Sequence, residues 1–146
     1  MRILVVDDEP DLVMLCQMGL QACGHQVDVA MDGAEGLAAI VSDPPDIVLL
    51  DFMMPGVDGL SVLEKMRRDL IDPDSVPTVM LSAKGRPEDA LRGLAAGAIA
   101  YVTKPFSIDD LERLLADVVA EDAPARQLRR TRAIDTLRTG RLNYTG

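Results

Sequence analysis

Five short hydrophobic runs alternate with five helix-like segments along residues 1–120, and this alternation is what most constrains the fold. Strands that alternate with helices at this spacing are typical of βαβ units and of a parallel sheet. We therefore expect an α/β fold with a doubly wound, five-stranded parallel sheet. The predicted strands are Ile3–Val6, Gln26–Ala30, Ile47–Leu50, Thr78–Leu81 and Ala100–Thr103. The predicted helices lie near Pro10–Ala22, Ala34–Ser42, Gly59–Arg68, Pro87–Ala96 and Ile108–Val119.

The strands are expected to differ in burial. The first, third and fourth runs are continuous in Val, Ile, Leu and Met, as in strands that are covered on both faces. Gln26–Ala30 instead alternates polar and apolar residues, which predicts a strand at the edge of the sheet.

Polar residues stand at the ends of four of these runs. The segments read ILVV-DD, DIVLL-D, TVML-S and YVT-KP, which places these side chains at strand ends: Asp7, Asp8, Asp51, Ser82 and Lys104. The carboxyl ends of parallel strands share one edge, and open α/β sheets bind ligands there, so we expect the five side chains to line one pocket. Crowded carboxylates need a cation, and hard oxygen ligands favour Mg²⁺.

The same residue types indicate phosphoryl chemistry. Asp8 and Asp51 are the expected direct ligands of Mg²⁺, and Asp7 is expected to act through water or hydrogen bonds. The backbone carbonyl of Met53 is a further candidate ligand. A lysine that faces this cluster suits a transferred phosphoryl group, whose charge lies on three equatorial oxygens, and the Ser82 hydroxyl can donate to one of them.

Charge is distributed unevenly along the 146 residues. Residues 1–122 carry 9 Lys/Arg against 23 Asp/Glu, whereas residues 123–146 carry six Arg against Asp135 alone. The acidic body repels phosphate backbones, so we expect no nucleic-acid partner. No apolar run is long enough to span a bilayer and the amino terminus lacks a signal-peptide pattern, so we expect a cytoplasmic protein with no membrane partner.

The basic residues define a C-terminal extension. We expect residues 1–120 to form one domain and residues 121–146 to form an Arg-rich, helical extension, because Pro124 suits a first helical turn and Gly140 a helix end. Its apolar residues form no continuous stripe, which predicts partial burial. A helix that is solvated or docked on the acidic body is the favoured interpretation, followed by a partner contact and then by a nucleic-acid contact.

Four pieces of the chain match one protein family in the right order. The segments ILVVDDEP, DIVLLDFMMPGVDG, TVMLSAKG and GAIAYVTKPF resemble the receiver domain of bacterial two-component response regulators, over about residues 1–120. The resemblance implies a flavodoxin-like sheet with strand order 2-1-3-4-5, as in the chemotaxis response regulator. It also implies a phosphoprotein that needs Mg²⁺ as its cofactor.

The resemblance further implies a role for each acidic residue. Asp51 is implied to be the phosphoacceptor, a nucleophile that takes phosphate from a histidine kinase or a histidine phosphotransfer protein. Asp7 and Asp8 are implied to be the Mg²⁺ acids. Lys104 is implied to pair with the aspartate and the phosphate, and Lys104–Pro105 to be a cis peptide.

Ser82 and Tyr101 are implied to be the switch pair, which reshapes the surface formed by the fourth helix, fifth strand and fifth helix. Many family members carry acids just before the switch aromatic, where this chain has Ile99 and Ala100. Those acids support one common dimer, so we expect a monomer or a weak dimer here.

The expected function is that of a stand-alone receiver, which binds a downstream protein partner when Asp51 is phosphorylated and catalyses only its own phosphorylation and dephosphorylation. Two alternatives remain. One is a Mg²⁺-dependent phosphatase or phosphotransferase that uses an aspartyl phosphate, and the other is a fragment of a DNA-binding transcriptional regulator.

Overall fold

The architecture is a parallel sheet of five strands with helices on both faces. The computed structural model describes residues 1–69, 72, 75–83 and 85–140. The strands are β1 Arg2–Val6, β2 Gln26–Ala30, β3 Ile47–Asp51, β4 Thr78–Ala83 and β5 Ala100–Lys104. The helices are α1 Pro10–Ala22, α2 Gly33–Ser42, α3 Gly59–Arg68, α4 Pro87–Ala95, α5 Ile108–Ala120 and α6 Ala123–Arg138. The predicted α/β fold is confirmed.

The sheet has the order β2-β1-β3-β4-β5, with every pair of neighbouring strands parallel. This is the flavodoxin-like order that the resemblance implied, and β2 lies at an edge as its alternating sequence predicted. Strands β3, β4 and β5 run slightly further than predicted. As a result, Asp51, Ser82 and Lys104 lie within the final residues of strands and are held by the ladder itself.

Two hydrophobic clusters hold the layers together, one on each face of the sheet. Helices α1 and α5 cover the first face, where Cys16, Leu20, Leu111 and Leu115 are buried. Helices α2, α3 and α4 cover the second face, and α6 adds Ala133 to that cluster. No helix among the described residues is long and apolar enough to cross a membrane.

The C-terminal extension is helical where it is described. Helix α6 begins at Ala123, one residue before Pro124, and the Asp122 carboxylate caps it by accepting a hydrogen bond from the backbone N–H of Ala125 at 2.9 Å. Gly140 follows the helix with a φ of +67°, a conformation that favours glycine. Residues 141–146 of the predicted extension lie outside the described residues.

Candidate phosphoacceptor site

Three of the predicted carboxylates meet at the carboxyl edge of the sheet. Strand β1 ends at Val6, so Asp7 and Asp8 lie just past the strand, where the alternation of side chains no longer separates them. One carboxylate oxygen from each of Asp7, Asp8 and Asp51 lies within 4.8 Å of the others. Asp7 and Asp51 are buried and Asp8 is exposed. We call Asp7, Asp8, Asp51 and Lys104 the acidic pocket.

Lys104 supplies the positive charge of the acidic pocket. Its ammonium lies 3.2 Å from Asp7 Oδ2 and 3.4 Å from Asp51 Oδ1. Burial alone would lower the pKa of Lys104, but the charges of Asp51 and Asp7 outweigh burial and raise it. The lysine therefore stays protonated and faces the two buried carboxylates. The Lys104–Pro105 peptide is cis, as the resemblance implied.

Asp51 is held in an unfavourable electrostatic position. Burial and then the neighbouring charge of Asp7 raise the pKa of its carboxyl to about 6. Lys104 and the backbone N–H of Met53, which donates to Asp51 Oδ1 at 3.3 Å, act in the opposite direction. The Asp51 carboxylate is consequently largely ionised at pH 7. Lys104 does not fully neutralise the negative charge of the site, so a nearby cation or electrophile is favoured.

The acidic pocket opens into a cleft of about 480 Å³. The lining residues are Asp8, Glu9, Pro10, Asp51, Met53, Ala83 and Lys104. The donor set is all oxygen and open on one side, which fits Mg²⁺, since this ion keeps several waters and a few carboxylates. Glu9 was not predicted, although its carboxylate lies 4.0 Å from the Lys104 ammonium and its position directly after the Asp7–Asp8 pair was the available signal.

Ser82 directly precedes Ala83, a residue that lines the cleft. It is in register with Thr103 on β5, and its Oγ is buried with no hydrogen-bond partner among the described residues. A buried hydroxyl without a partner costs free energy, so an acceptor that binds next to it would remove that cost. The Ser82 hydroxyl was predicted to donate to a phosphoryl oxygen, and that role would satisfy it.

Tyr101 lies in β5, three residues before Lys104 of the acidic pocket. Tyr101 is 6% exposed, and it belongs to the hydrophobic cluster on the face of the sheet that α4 covers. Tyr101 is in register with Met80, two residues before Ser82 on β4, so the two members of the predicted switch pair are diagonal neighbours on adjacent strands. They share one face because residues in register point the same way.

Gly59 positions the loop that leads away from Asp51, and sequence reasoning did not single it out for this role. Its backbone N–H donates to the Phe52 carbonyl at 3.1 Å. A Cβ at this position would lie 2.3 Å from the Asp51 carbonyl oxygen, so only glycine lets α3 begin this close to β3. The available signal was the Asp58–Gly59 pair, since Asp58 caps α3 through the backbone N–H of Ser61.

Comparison with known proteins identifies the family. Residues 3–116 match the family described as the response regulator receiver domain, and the chain belongs to it. The structure of the Francisella response regulator 1452 receiver domain is similar, with 34% identity and a TM-score of 0.74 over 81% of this chain and 95% of that one. The recognition of a receiver domain from sequence is thus confirmed.

Curated relatives of this chain are transcriptional regulators. The regulator RpaA of Synechocystis, named as a DNA-binding dual master transcriptional regulator, is 42% identical over 82% of this chain and 48% of its own length. The transcriptional regulatory protein TrcR of Mycobacterium tuberculosis is 39% identical over 99% of this chain and 54% of its own length. The chain therefore spans about half the length of these relatives.

Proposed function

We propose that this chain is a phosphorylation-dependent switch in which Asp51 accepts a phosphoryl group from the phosphohistidine of a histidine kinase or a histidine phosphotransfer protein. The observation that carries the proposal is the buried Asp51 carboxylate, held 3.4 Å from the Lys104 ammonium and beside two further carboxylates. A phosphoacceptor aspartate needs this combination of an ionised nucleophile and nearby positive charge.

In the proposed reaction, an Asp51 carboxylate oxygen forms a bond to phosphorus as the bond from phosphorus to the histidine nitrogen breaks. The electron pair of that bond returns to the imidazole ring. Lys104 neutralises charge on the transferred oxygens and Ser82 donates a hydrogen bond to one of them. Asp7, Asp8, Asp51 and the Met53 carbonyl would hold Mg²⁺, which supplies further neutralisation of the phosphoryl charge.

The output of the proposed switch is the binding of a downstream protein through the surface of α4, β5 and α5. We propose that this binding takes place in the cytoplasm. We propose that the chain has no other catalytic activity. Formation of the acyl phosphate places new charge beside Ser82, and Tyr101 lies on the adjacent strand, so the pair links the pocket to that surface.

Phosphoramidate, a small donor with a phosphorus–nitrogen bond, provides the direct test. In the presence of Mg²⁺ we expect one phosphoryl group per chain by intact mass spectrometry, and none in Asp51→Asn or after addition of EDTA. Asp28→Asn is the matched control, because Asp28 is exposed on β2. Equal labelling of wild type and Asp51→Asn would refute the proposal.

The lifetime of the phosphoryl group gives a second test. Met53 is 57% exposed and lines the cleft, but its side chain offers no polar group to orient an attacking water. We therefore expect slow self-dephosphorylation, and Met53→Asn should shorten the lifetime by about tenfold or more. A half-life of a few seconds for the wild-type phosphoprotein would contradict this expectation.

Control of DNA binding is the second candidate function, and the names of the relatives favour it. In this version Asp51 has the same role, and the output is the activity of a DNA-binding segment. Arg132 and Arg138 are exposed on α6 and are the residues that this chain would offer to a phosphate backbone. We expect duplex DNA to bind with a steep dependence on salt if this candidate is correct, and absence of binding at low salt to remove any direct role of α6.

A further inference from the structure

Helix α6 covers part of the surface through which the proposed switch acts. It packs against α4 and β5. Ala133 is fully buried, and it is the only buried residue among the sixteen described residues of this helix. It belongs to the same cluster as Leu94 of α4 and Tyr101 of β5. We call the packing of Ala133, Ile134 and Leu137 on this cluster the α6 contact.

The first half of α6 is held in a different way. Arg126 donates from Nε to the Val118 carbonyl at 3.0 Å and from Nη2 to the Val119 carbonyl at 3.2 Å, so it caps the C-terminal end of α5. The Nε of Arg129 lies 3.0 Å from both carboxylate oxygens of Glu121. These bonds tie the beginning of α6 to the end of α5 and involve neither α4 nor β5.

The two halves of α6 therefore depend on different parts of the fold. The α6 contact depends on α4 and on β5. Strand β5 carries Tyr101, which lies two residues before Thr103, the residue in register with Ser82. The arginine bonds depend on the end of α5. A displacement that begins at Ser82 would reach the α6 contact through β4 and β5, and would leave the arginine bonds intact.

We propose that α6 is a displaceable occupant of the α4–β5 surface, and that phosphorylation of Asp51 loosens its C-terminal half. This inference rests on the proposed function. A protein partner that reads this surface would offer the same chemistry as α6, a helix edge with one small residue beside two aliphatic residues, and would compete with Ala133, Ile134 and Leu137. Couplings between sites typically change an equilibrium by about 5- to 150-fold, which is enough for such a switch.

Hydrogen exchange resolved along α6 tests the inference on the full chain. Phosphoramidate and Mg²⁺ are added, and the phosphoryl group is verified by intact mass in the same sample. We expect amides of residues 133–138 to exchange about tenfold faster after phosphorylation, and amides of residues 126–130 to change by less than about twofold. A verified phosphoryl group with unchanged exchange in residues 133–138 would overturn the inference and leave the proposed function standing. Absence of the phosphoryl group would overturn both.

A pair of substitutions isolates the α6 contact. Ala133→Glu places a carboxylate in the buried contact, whereas Thr131→Glu places one on the exposed side of the same helix. Without phosphorylation, we expect Ala133→Glu to speed exchange in residues 133–138 by about tenfold and Thr131→Glu to stay within about twofold of wild type. Equal exchange in the two variants would mean that α6 is not docked through Ala133, and the inference would fail.

Linkage provides a measurement that a purely structural role of α6 would not move. If phosphorylation weakens the docking of α6, then undocking of α6 must raise the affinity of the site at Asp51 for a phosphoryl group or its analogue by the same factor. We expect Ala133→Glu to bind beryllofluoride, an acyl-phosphate analogue, with Mg²⁺ about tenfold more tightly than Thr131→Glu, as measured by fluorine NMR. Equal affinities in the two variants would contradict the coupling.

Discussion

In the acidic pocket, Asp7 and Asp51 are buried with one ammonium between them, whereas the α6 contact consists of one buried alanine and two half-buried aliphatic residues. The pocket holds more negative charge than its lysine neutralises, so adding a cation or removing a charge changes its energy greatly. The α6 contact buries one alanine and no charge, so we expect it to open at a smaller cost in free energy. A large electrostatic change at one site and a shallow contact at the other suit a switch in which the first drives the second.

Removal of the lysine should have the largest effect on stability. Lys104→Met leaves two buried carboxylates without a counter-charge, and at pH 7 without divalent cations we expect a loss of about 3 kcal/mol in the free energy of unfolding. Arg129→Met leaves only the Glu121 carboxylate, which is 22% exposed and can be hydrated where Asp7 cannot, so we expect a smaller loss of about 1 kcal/mol. Urea denaturation in EDTA measures both, and equal losses would remove the contrast between the two regions.

A methyl group at Gly59 should be the next most harmful change. Gly59→Ala forces a Cβ against the backbone of Asp51, which cannot yield as a flexible side chain would, and we expect a loss of about 2 kcal/mol. Gly140→Ala has open space around the new atom and costs only the strain of a positive φ, about 1 kcal/mol. If urea denaturation shows Gly140→Ala to be the more damaging, the close approach of α3 to β3 is not what requires glycine.

The pH dependence of stability should reveal the cost of burying the charged form of Asp51 beside Asp7. Its pKa rises from 3.8 to about 6 on folding without a cation, so between those values the folded state binds the extra proton and stability falls as pH rises. Asp51→Asn removes this fall, and at pH 7 in EDTA it should be more stable than wild type by about 1–2 kcal/mol.

Urea denaturation at several values between pH 4 and pH 7 measures this difference. The comparison with Asp28→Asn controls for the loss of one charge, because Asp28 is exposed. Parallel stability curves for wild type and Asp51→Asn would show that Asp51 ionises normally.

The smallest expected difference in stability is between substitutions of two leucines of α6. Leu137 packs against the buried cluster, whereas Leu128 is 49% exposed. We expect Leu137→Ser to cost about 1 kcal/mol and Leu128→Ser to change stability by less than about 0.5 kcal/mol. Similar costs, measured by thermal unfolding, would indicate that both sides of α6 are covered.

Local sequence patterns predicted most of the fold and of the candidate site. The continuous apolar runs around Val5, Leu49 and Met80 are buried strands, as the composition of strands covered on both faces predicted. The position of the acidic pocket followed from topology, because parallel strands bring their carboxyl ends to one edge. The roles predicted for the site residues stay predictions: Asp7, Asp8, Asp51, Met53, Ser82, Tyr101 and Lys104.

Contacts between elements that are distant in sequence were not predictable. Nothing in the composition of α6 indicated that Ala133 would be its buried residue, since its apolar residues form no continuous stripe. The favoured interpretation was a helix solvated or docked on an acidic body. The structure shows docking through aliphatic contacts, through the carbonyl groups at the end of α5 and through the ion pair of Arg129 with Glu121.

The sequence by itself determined the alternation of strands and helices and the edge where the carboxylates gather, since these depend on residue types at fixed spacing along single elements. The strand order and the family followed from the resemblance of four sequence segments to receiver domains. Only the tertiary structure decided that Lys104 lies between Asp7 and Asp51, that Ser82 has an unused hydroxyl, and that α6 covers the α4–β5 surface. Those facts depend on distances between elements, and such distances are set when the whole core packs.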